Sequence, residues 1–495
     1  MPRLVVIFIL MLFLISCESV EEKEERLAYQ HCGSCHLFPD PGLLPKKVWT
    51  KSVLPNMAFR LGMTDLMEAK KYIPEEDLLT VVGILPNQPL VSEEEWRAIV
   101  NYYERKAPVE LSINDERIID SLTLFEISMF KNNLEALPLV TLIKVDTFNK
   151  RIIFGTRNST LNILNNQLEV ETSYALSSPA SHVEVENPNE MILTLMGIMD
   201  PNDRPLGKVI SSTPDGKQQK IVIDSLQRPV YFEKADFNGD GFEDYVICAF
   251  GNYTGALLVY ESKGQSGYLK HIVSSLPGSR KTIVKDFNKD GRPDILSMLT
   301  QGDEQITLFT NEGNFDFSEK VLLRFPPVYG SSYFEIADFN QDGLFDILYT
   351  NGDNSDLSLI LKPYHGIRIF TQNINGTFKE TWFSQMHGAS QAIPCDFDKD
   401  GDLDIAAISF FSDFAKHPDE SFLYFENINQ TFKPFKLKEG ASGRWVVMEV
   451  SDIEGDGDQD ILLGALDFKS KVPTTLLQQW SQEQISLLIL KNSTY

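Results

Sequence analysis

The chain has 495 residues, and its 70 acidic side chains against 45 basic ones leave a formal net charge of −25. An excess of that size and sign argues against nucleic acid and against an anionic membrane face as partners. The five cysteines, Cys17, Cys32, Cys35, Cys248 and Cys395, fall in three different settings.

In chain order, residues 1–16 predict an export signal. Arg3 supplies its positive end, and Leu4 to Ile15 is an apolar run too short to settle as a membrane-spanning helix. Leu14-Ile15-Ser16-Cys17 is similar to a bacterial lipobox. That resemblance implies that Cys17 is lipidated and opens the mature protein, anchored in the cell envelope at an outer membrane and facing the periplasm or the cell surface. A short uncleaved anchor is the alternative. The acidic run from Glu18 to Glu25 has no apolar periodicity and predicts a solvated tether over 17–25. It also resembles acidic signals that send some lipoproteins to the cell surface.

His31-Cys32-Gly33-Ser34-Cys35-His36 contains the Cys-x-x-Cys-His signature of c-type haem attachment. Two thiols one helical turn apart bond the vinyl groups, and the adjacent histidine ligates iron. Haem attachment takes place outside the cytoplasm, in keeping with an export signal; a local Cys32–Cys35 disulfide is the alternative. A helix is predicted over Glu21 to His36, a break at Pro39 to Gly42, and helical spacing from Trp49 to Leu61. A last helix starts at Ser92, with Glu95 completing a capping box, and stops at Ala107-Pro108.

Residues 26–108 therefore resemble a small all-α monohaem cytochrome c domain. The resemblance implies one haem c on Cys32 and Cys35, with His36 as the proximal iron ligand. Such domains commonly carry Met-Pro before the last helix, but here the loop reads Leu85-Pro86-Asn87-Gln88-Pro89. The candidates for the distal ligand are Met57, Met63 and Met67, and Met57 is preferred because Pro55 can start a helical turn that aims its thioether inward. Core filling is the alternative for each of them.

The helical pattern stops near 108–118 and β-type runs begin at Leu122. From there on, one nine-residue motif recurs at 236, 286, 338, 396 and 452, at intervals of 50 to 58 residues. Its oxygen-bearing positions 1, 3, 5 and 9 are Asp236, Asn238, Asp240 and Asp244; Asp286, Asn288, Asp290 and Asp294; Asp338, Asn340, Asp342 and Asp346; Asp396, Asp398, Asp400 and Asp404; and Asp452, Glu454, Asp456 and Asp460. A hard cation such as calcium takes six to eight oxygens, and glycine at position 6 lets the backbone turn sharply around it. Several carboxylates in one loop repel one another without a cation between them. A metal-free Asp/Gly hairpin turn is the alternative. β-type runs follow each loop, so the loops join strands.

The period is that of a propeller blade. Leu142 to Gly155 is a worn copy of the motif, and Ser181 to Leu195 leaves room for another; neither keeps the acidic set, so no metal is expected there. Seven blades over 111–495 give about 55 residues each. The terminal run Ile485 to Lys491 suits a closing strand. The five repeats resemble FG-GAP or VCBS repeats of integrin α-subunits and bacterial envelope proteins. That resemblance implies an all-β seven-bladed propeller with up to five calcium ions at the positions named, Glu454 being a departure at position 3. Cys248 and Cys395 lie in different blades and read as buried free thiols.

Tyr364, His365, Arg368, His387, Arg444 and Trp445 form a loop set rich enough for a shared pocket, although such residues are also ordinary on propeller surfaces. No nucleophile elbow, zinc pair or phosphate loop is present. Three classes remain: an electron-transfer lipoprotein whose propeller docks a redox partner protein or a glycan, a propeller enzyme such as a quinoprotein dehydrogenase or polysaccharide lyase, and an adhesin. Trp382, Trp445 and Trp480 show no tryptophan repeat, which weakens the dehydrogenase. The adhesin leaves a complete haem motif unexplained, so the first class is favoured.

Overall fold

The computed structural model describes residues 18–63, 81, 83–113, 119–132, 137–354 and 358–494. The export signal, Cys17 and Met67 lie outside the described residues. Helix α1 runs from Val20 to Cys32. Ser19 caps it, its hydroxyl accepting from Glu22 N at 3.2 Å while the Glu22 carboxylate accepts from Ser19 N at 2.8 Å. The acidic run expected as a tether is thus helical from Val20, because its carboxylates sit at the positive end of the helix dipole. The helix also stops earlier than predicted. Gly33 caps it, and Ser34 Oγ donates to the His31 carbonyl at 2.8 Å, so Cys35 and His36 lie on the turn that follows.

A wide helical turn at Trp49–Val53 leads into helix α2, Leu54–Arg60. Helix α3, Glu93–Lys106, carries the predicted Ser92/Glu95 capping box. Its Ile99, Tyr102 and Tyr103 pack with Leu27 and Ala28 of α1 and with Trp49 and Leu54 in one apolar cluster. Trp49 Nε1 donates to Pro41 O at 2.9 Å and the Tyr103 hydroxyl to Pro39 O at 2.8 Å, so the buried aromatics keep their polar ends satisfied. Glu24, 5% exposed, is paired with Arg105 across the two helices.

The rest is a seven-bladed β-propeller. Six blades of four sequential antiparallel strands span 140–175, 180–226, 229–274, 279–325, 331–385 and 389–436, the last of them joined at its outer edge by a fifth, parallel strand, Asp120–Ser121. The seventh takes three strands from 445–492 and its outermost one from Phe125–Lys131, near the start of the propeller. Phe125 faces Asn492, Ile127 faces Leu490 and Met129 faces Leu488 in that pairing. Closure therefore joins the two ends of the propeller, with Ile485–Asn492 as the third strand of the blade and the earlier strand outside it.

The second strand of blades three to seven is buried at all six positions, and after the opening Asp those runs are mostly apolar, with Ser297, Thr350, Asn351 and Ser409 as buried polar exceptions. The innermost strands turn polar side chains to the axis, where Lys144 lies 3.4 Å from Glu184 and 3.8 Å from Glu449, and Lys281 pairs with Glu335. In a four-stranded meander, turns 1–2 and 3–4 leave at one face, and turns 2–3 and the links between blades at the other. The acidic motifs are 1–2 turns, each opening the second strand of its blade, so all five lie on the first face.

Candidate functional site

A cavity of about 570 Å³ lies between the helical region and the second face of the propeller. Cys32, Cys35, His36 and Met57 all line it, together with apolar Leu44, Trp49, Val53, Leu54 and Ile99. Its volume is that of a cofactor site. The opposite wall comes from links and 2–3 turns of blades three to five, among them Phe250, Tyr253, Asp303, Glu304 and Val328. The two walls are locked together: the Arg60 guanidinium lies 4.6 Å over the Tyr253 ring, and Val328 packs into the cluster around Trp49.

The donor set suits a covalently bound haem. Cys32 and Cys35 are both free thiols, not joined to each other. His36 Nδ1 lies 3.0 Å from the Leu37 carbonyl, which can only accept; Nδ1 carries the proton and Nε2 keeps its lone pair. Burial holds the His36 imidazole below its ordinary pKa, in the neutral form a metal needs. Burial pushes the Cys32 thiol up to about 11, while the Tyr103 hydroxyl beside it acts in the other direction. Of the candidate methionines among the described residues, Met57 lines the cavity and Met63 packs partly buried in the adjoining apolar cluster. The propeller wall carries no repeat signature in sequence, so Asp303 and Glu304 were not foreseeable as neighbours of this motif.

The five acidic loops share one construction. Position 6 glycines have φ between 83° and 98°, a region costly for any residue with a Cβ. The position 1 carboxylate accepts from the position 6 N–H in every copy, at 2.8 Å for Gly241, Gly291 and Gly343, 3.1 Å for Gly401 and 2.9 Å for Gly457. The position 9 aspartate takes two backbone N–H groups, one from position 2 of its own loop and one from the third strand. Asp294, for example, accepts from Phe287 at 3.0 Å and Asn311 at 2.8 Å. This aspartate is therefore a structural joint besides being a candidate ligand.

The copies then diverge. In the fourth, oxygens of Asp396, Asp398 and Asp404 all lie within 4.8 Å of one another, and Asp396 Oδ1 is buried without a hydrogen-bond partner. Burial raises Asp404 to about 6, which marks an arrangement short of positive charge. In the second, Arg292 lies 2.6 Å from Asp290 and competes with any cation for it. In the fifth, Glu454 is paired with Lys491 from the third strand, and the position 3 departure thus faces an internal cation. The worn first copy goes further. Asp146, 1% exposed, is held by Arg151 at 2.9 Å, so a guanidinium stands in the turn where the other blades gather carboxylates.

The expected pocket of Tyr364, His365, Arg368, His387, Arg444 and Trp445 is not assembled. Arg368 donates to Tyr364 O at 2.8 Å and lies 3.1 Å from Glu380, and His365 is buried. Arg444 is enclosed by the rings of Phe410, Phe411, Phe414 and Phe468, at 4.5, 5.2, 5.1 and 4.9 Å, and Trp445 is a core residue. These side chains are used to pack loops, Arg444 joining loops of the sixth and seventh blades.

Residues 236–297, 286–349 and 350–407 match the FG-GAP-like repeat family. No curated protein matches the chain. Among solved structures, the crystal structure of the N-terminal domain of Nup159 is similar at 11% identity and a TM-score of 0.45, covering 77% of this chain and 99% of that one. The Dos1 propeller is similar at 8% identity and a TM-score of 0.44, covering 72% and 80%. This chain folds as a seven-bladed β-propeller, within which residues 236–407 are similar to FG-GAP-like repeats.

Proposed function

We propose that this protein is an exported, lipid-anchored c-type cytochrome that carries one electron at a time, with the propeller as its partner-binding body. The observation that carries the reading is the convergence of Cys32, Cys35, His36 and Met57 on one cavity. Cys32 and Cys35 would hold the haem by thioether bonds, and His36 and Met57 are the side chains that would ligate its iron. When bound, the haem supplies reversible one-electron chemistry. The chain's own residues orient it and keep water out: the Leu37 carbonyl fixes the His36 tautomer, and Trp49, Leu54 and Ile99 form the apolar wall.

Calcium in up to five acidic loops stabilises the opposite face, the loop of Asp396, Asp398 and Asp404 being the best formed. Cys17 carries the lipid, and residues 1–16 direct export to the cell envelope. The partner is a redox protein or a glycan rather than nucleic acid, and the role is electron transfer rather than enzymatic turnover. The test is a spectroscopic redox titration of protein produced with haem-maturation machinery. The reading predicts a reversible one-electron couple with a low-spin spectrum in both states. A high-spin spectrum would contradict the ligand pair and point to small-molecule chemistry at an open iron position.

A further inference from the structure

Glu304 is 3% exposed and lines the same cavity as Cys32, Cys35 and His36, but from the propeller side. Its carboxylate accepts from Gly330 N at 3.0 Å, from Ser331 N at 2.7 Å and from the Ser331 hydroxyl. The Ser331 hydroxyl is in turn 2.6 Å from the Tyr349 hydroxyl. All three donors are neutral. Among the described residues, no Lys, Arg or His nitrogen pairs with it. The charged and titratable groups around it include Asp353, which disfavours its ionisation and itself lies 3.5 Å from Arg280, the phenols of Tyr329, Tyr349 and Tyr364, Arg368, which acts on Tyr349, and Lys362, a buried amine on the same cavity. Arg368 is committed to Glu380, and the neighbouring Asp303 is committed to Arg324 at 2.8 Å.

A carboxylate buried with neutral donors alone beside a redox centre feels each change of the centre's charge through a low-dielectric medium. Oxidised haem carries one positive charge more than reduced haem, so the oxidised state favours an ionised Glu304 and the reduced state a protonated one. We propose that Glu304 is the proton acceptor that couples electron transfer at this site to pH. The inference rests on the haem reading above. One electron arrives from an external one-electron donor, one proton arrives from water, and the bond made is O–H on a Glu304 carboxylate oxygen; oxidation reverses all three. Burial holds Glu304 at about 7, which puts its titration in the physiological window.

The experiment is a potentiometric titration of the full chain at a series of pH values from 5 to 9, on wild type, Glu304→Gln and Ser331→Ala. In wild type the midpoint potential should fall with rising pH around neutrality, with a slope approaching but not exceeding about 59 mV per pH unit, the limit for one proton and one electron. Glu304→Gln should flatten that slope. Ser331→Ala removes a donor that favours the ionised form, so it should move the inflection to higher pH. A reduced-minus-oxidised infrared spectrum should show a protonated carboxyl band in wild type that is missing in Glu304→Gln. An unchanged slope and band in Glu304→Gln would overturn the proposal, and so would an unmoved inflection in Ser331→Ala should Glu304→Gln fail to fold. Absence of any covalent haem would instead overturn the cytochrome reading itself, and this inference with it.

Discussion

On the proposed cytochrome reading, Met57 is the candidate to complete the iron coordination, because it lines the cavity while Met63 packs beside it. Met57→Ala should lower the midpoint potential and abolish the weak near-infrared band of a methionine-to-iron bond. An unaltered band and potential would move the assignment to Met63 or Met67. At the same scale, Arg151 stands where other blades carry an aspartate, holding buried Asp146. Arg151→Ala leaves that carboxylate with Asn149 as its remaining partner, and should cost about 2 kcal/mol in urea denaturation. A loss below about 0.5 kcal/mol would mean that the pair is a surface interaction of ordinary weakness. Arg151 shows the limit of motif reading: the loss of acidic residues near Asp146 was visible in sequence, whereas their replacement by one internal cation was not.

The acidic loop combines two jobs that single substitutions can separate. Asp398 lies within 4.8 Å of the carboxylates of Asp396 and Asp404 in the fourth copy, while Asp294 of the second is a joint for two backbone N–H groups. With calcium present, both Asp398→Ala and Asp294→Ala should lower the melting temperature. After chelation the Asp398→Ala deficit should vanish, and Asp294→Ala should still cost about 2–4 kcal/mol, the price of two buried donors left unpaired. Equal behaviour of the two variants in chelator would refute this division. The same loops explain which elements were readable. A nine-residue signature at intervals of 50 to 58 residues exposes five blades, and the worn copy at Leu142 to Gly155 exposes another. Closure between the last blade and the first strand was readable from the terminal run Ile485 to Lys491, but the outermost place in that blade taken by Phe125–Lys131 was not. Its contribution is also measurable: Phe125, packed against Phe397 and Tyr424 with ring centroids 5.8 and 6.0 Å away, should cost about 3 kcal/mol when replaced by Ala. A negligible loss would mean that closure does not depend on that strand.

For the whole molecule, the two faces of the propeller divide the roles: acidic loops on one, the helical region and its cavity on the other. The axis between them is polar, and it sets a pH dependence. Burial raises Glu233 to about 7, with Val284 N donating to it at 2.8 Å. A carboxyl whose folded pKa is raised contributes stability below its unfolded value, near 4.5, and loses it as pH rises through about 7. Glu233→Gln should therefore melt higher than wild type at pH 8 and no higher at pH 4.5; a lower melting temperature at pH 8 would contradict the assignment. The docking of the helices was not legible, since Tyr253, Asp303 and Glu304 come from turns without a common pattern and meet residues near position 36 only through the fold. The convergence of both thiols and His36 on that cavity is the centre of the account. Its most direct test is the intact mass of the protein after production with haem-maturation machinery, under denaturing conditions that strip any non-covalent group. Wild type should carry the added mass of one haem, and the protein with Cys32 and Cys35 both replaced by Ala should carry none. A wild-type mass equal to that of the bare polypeptide would contradict it.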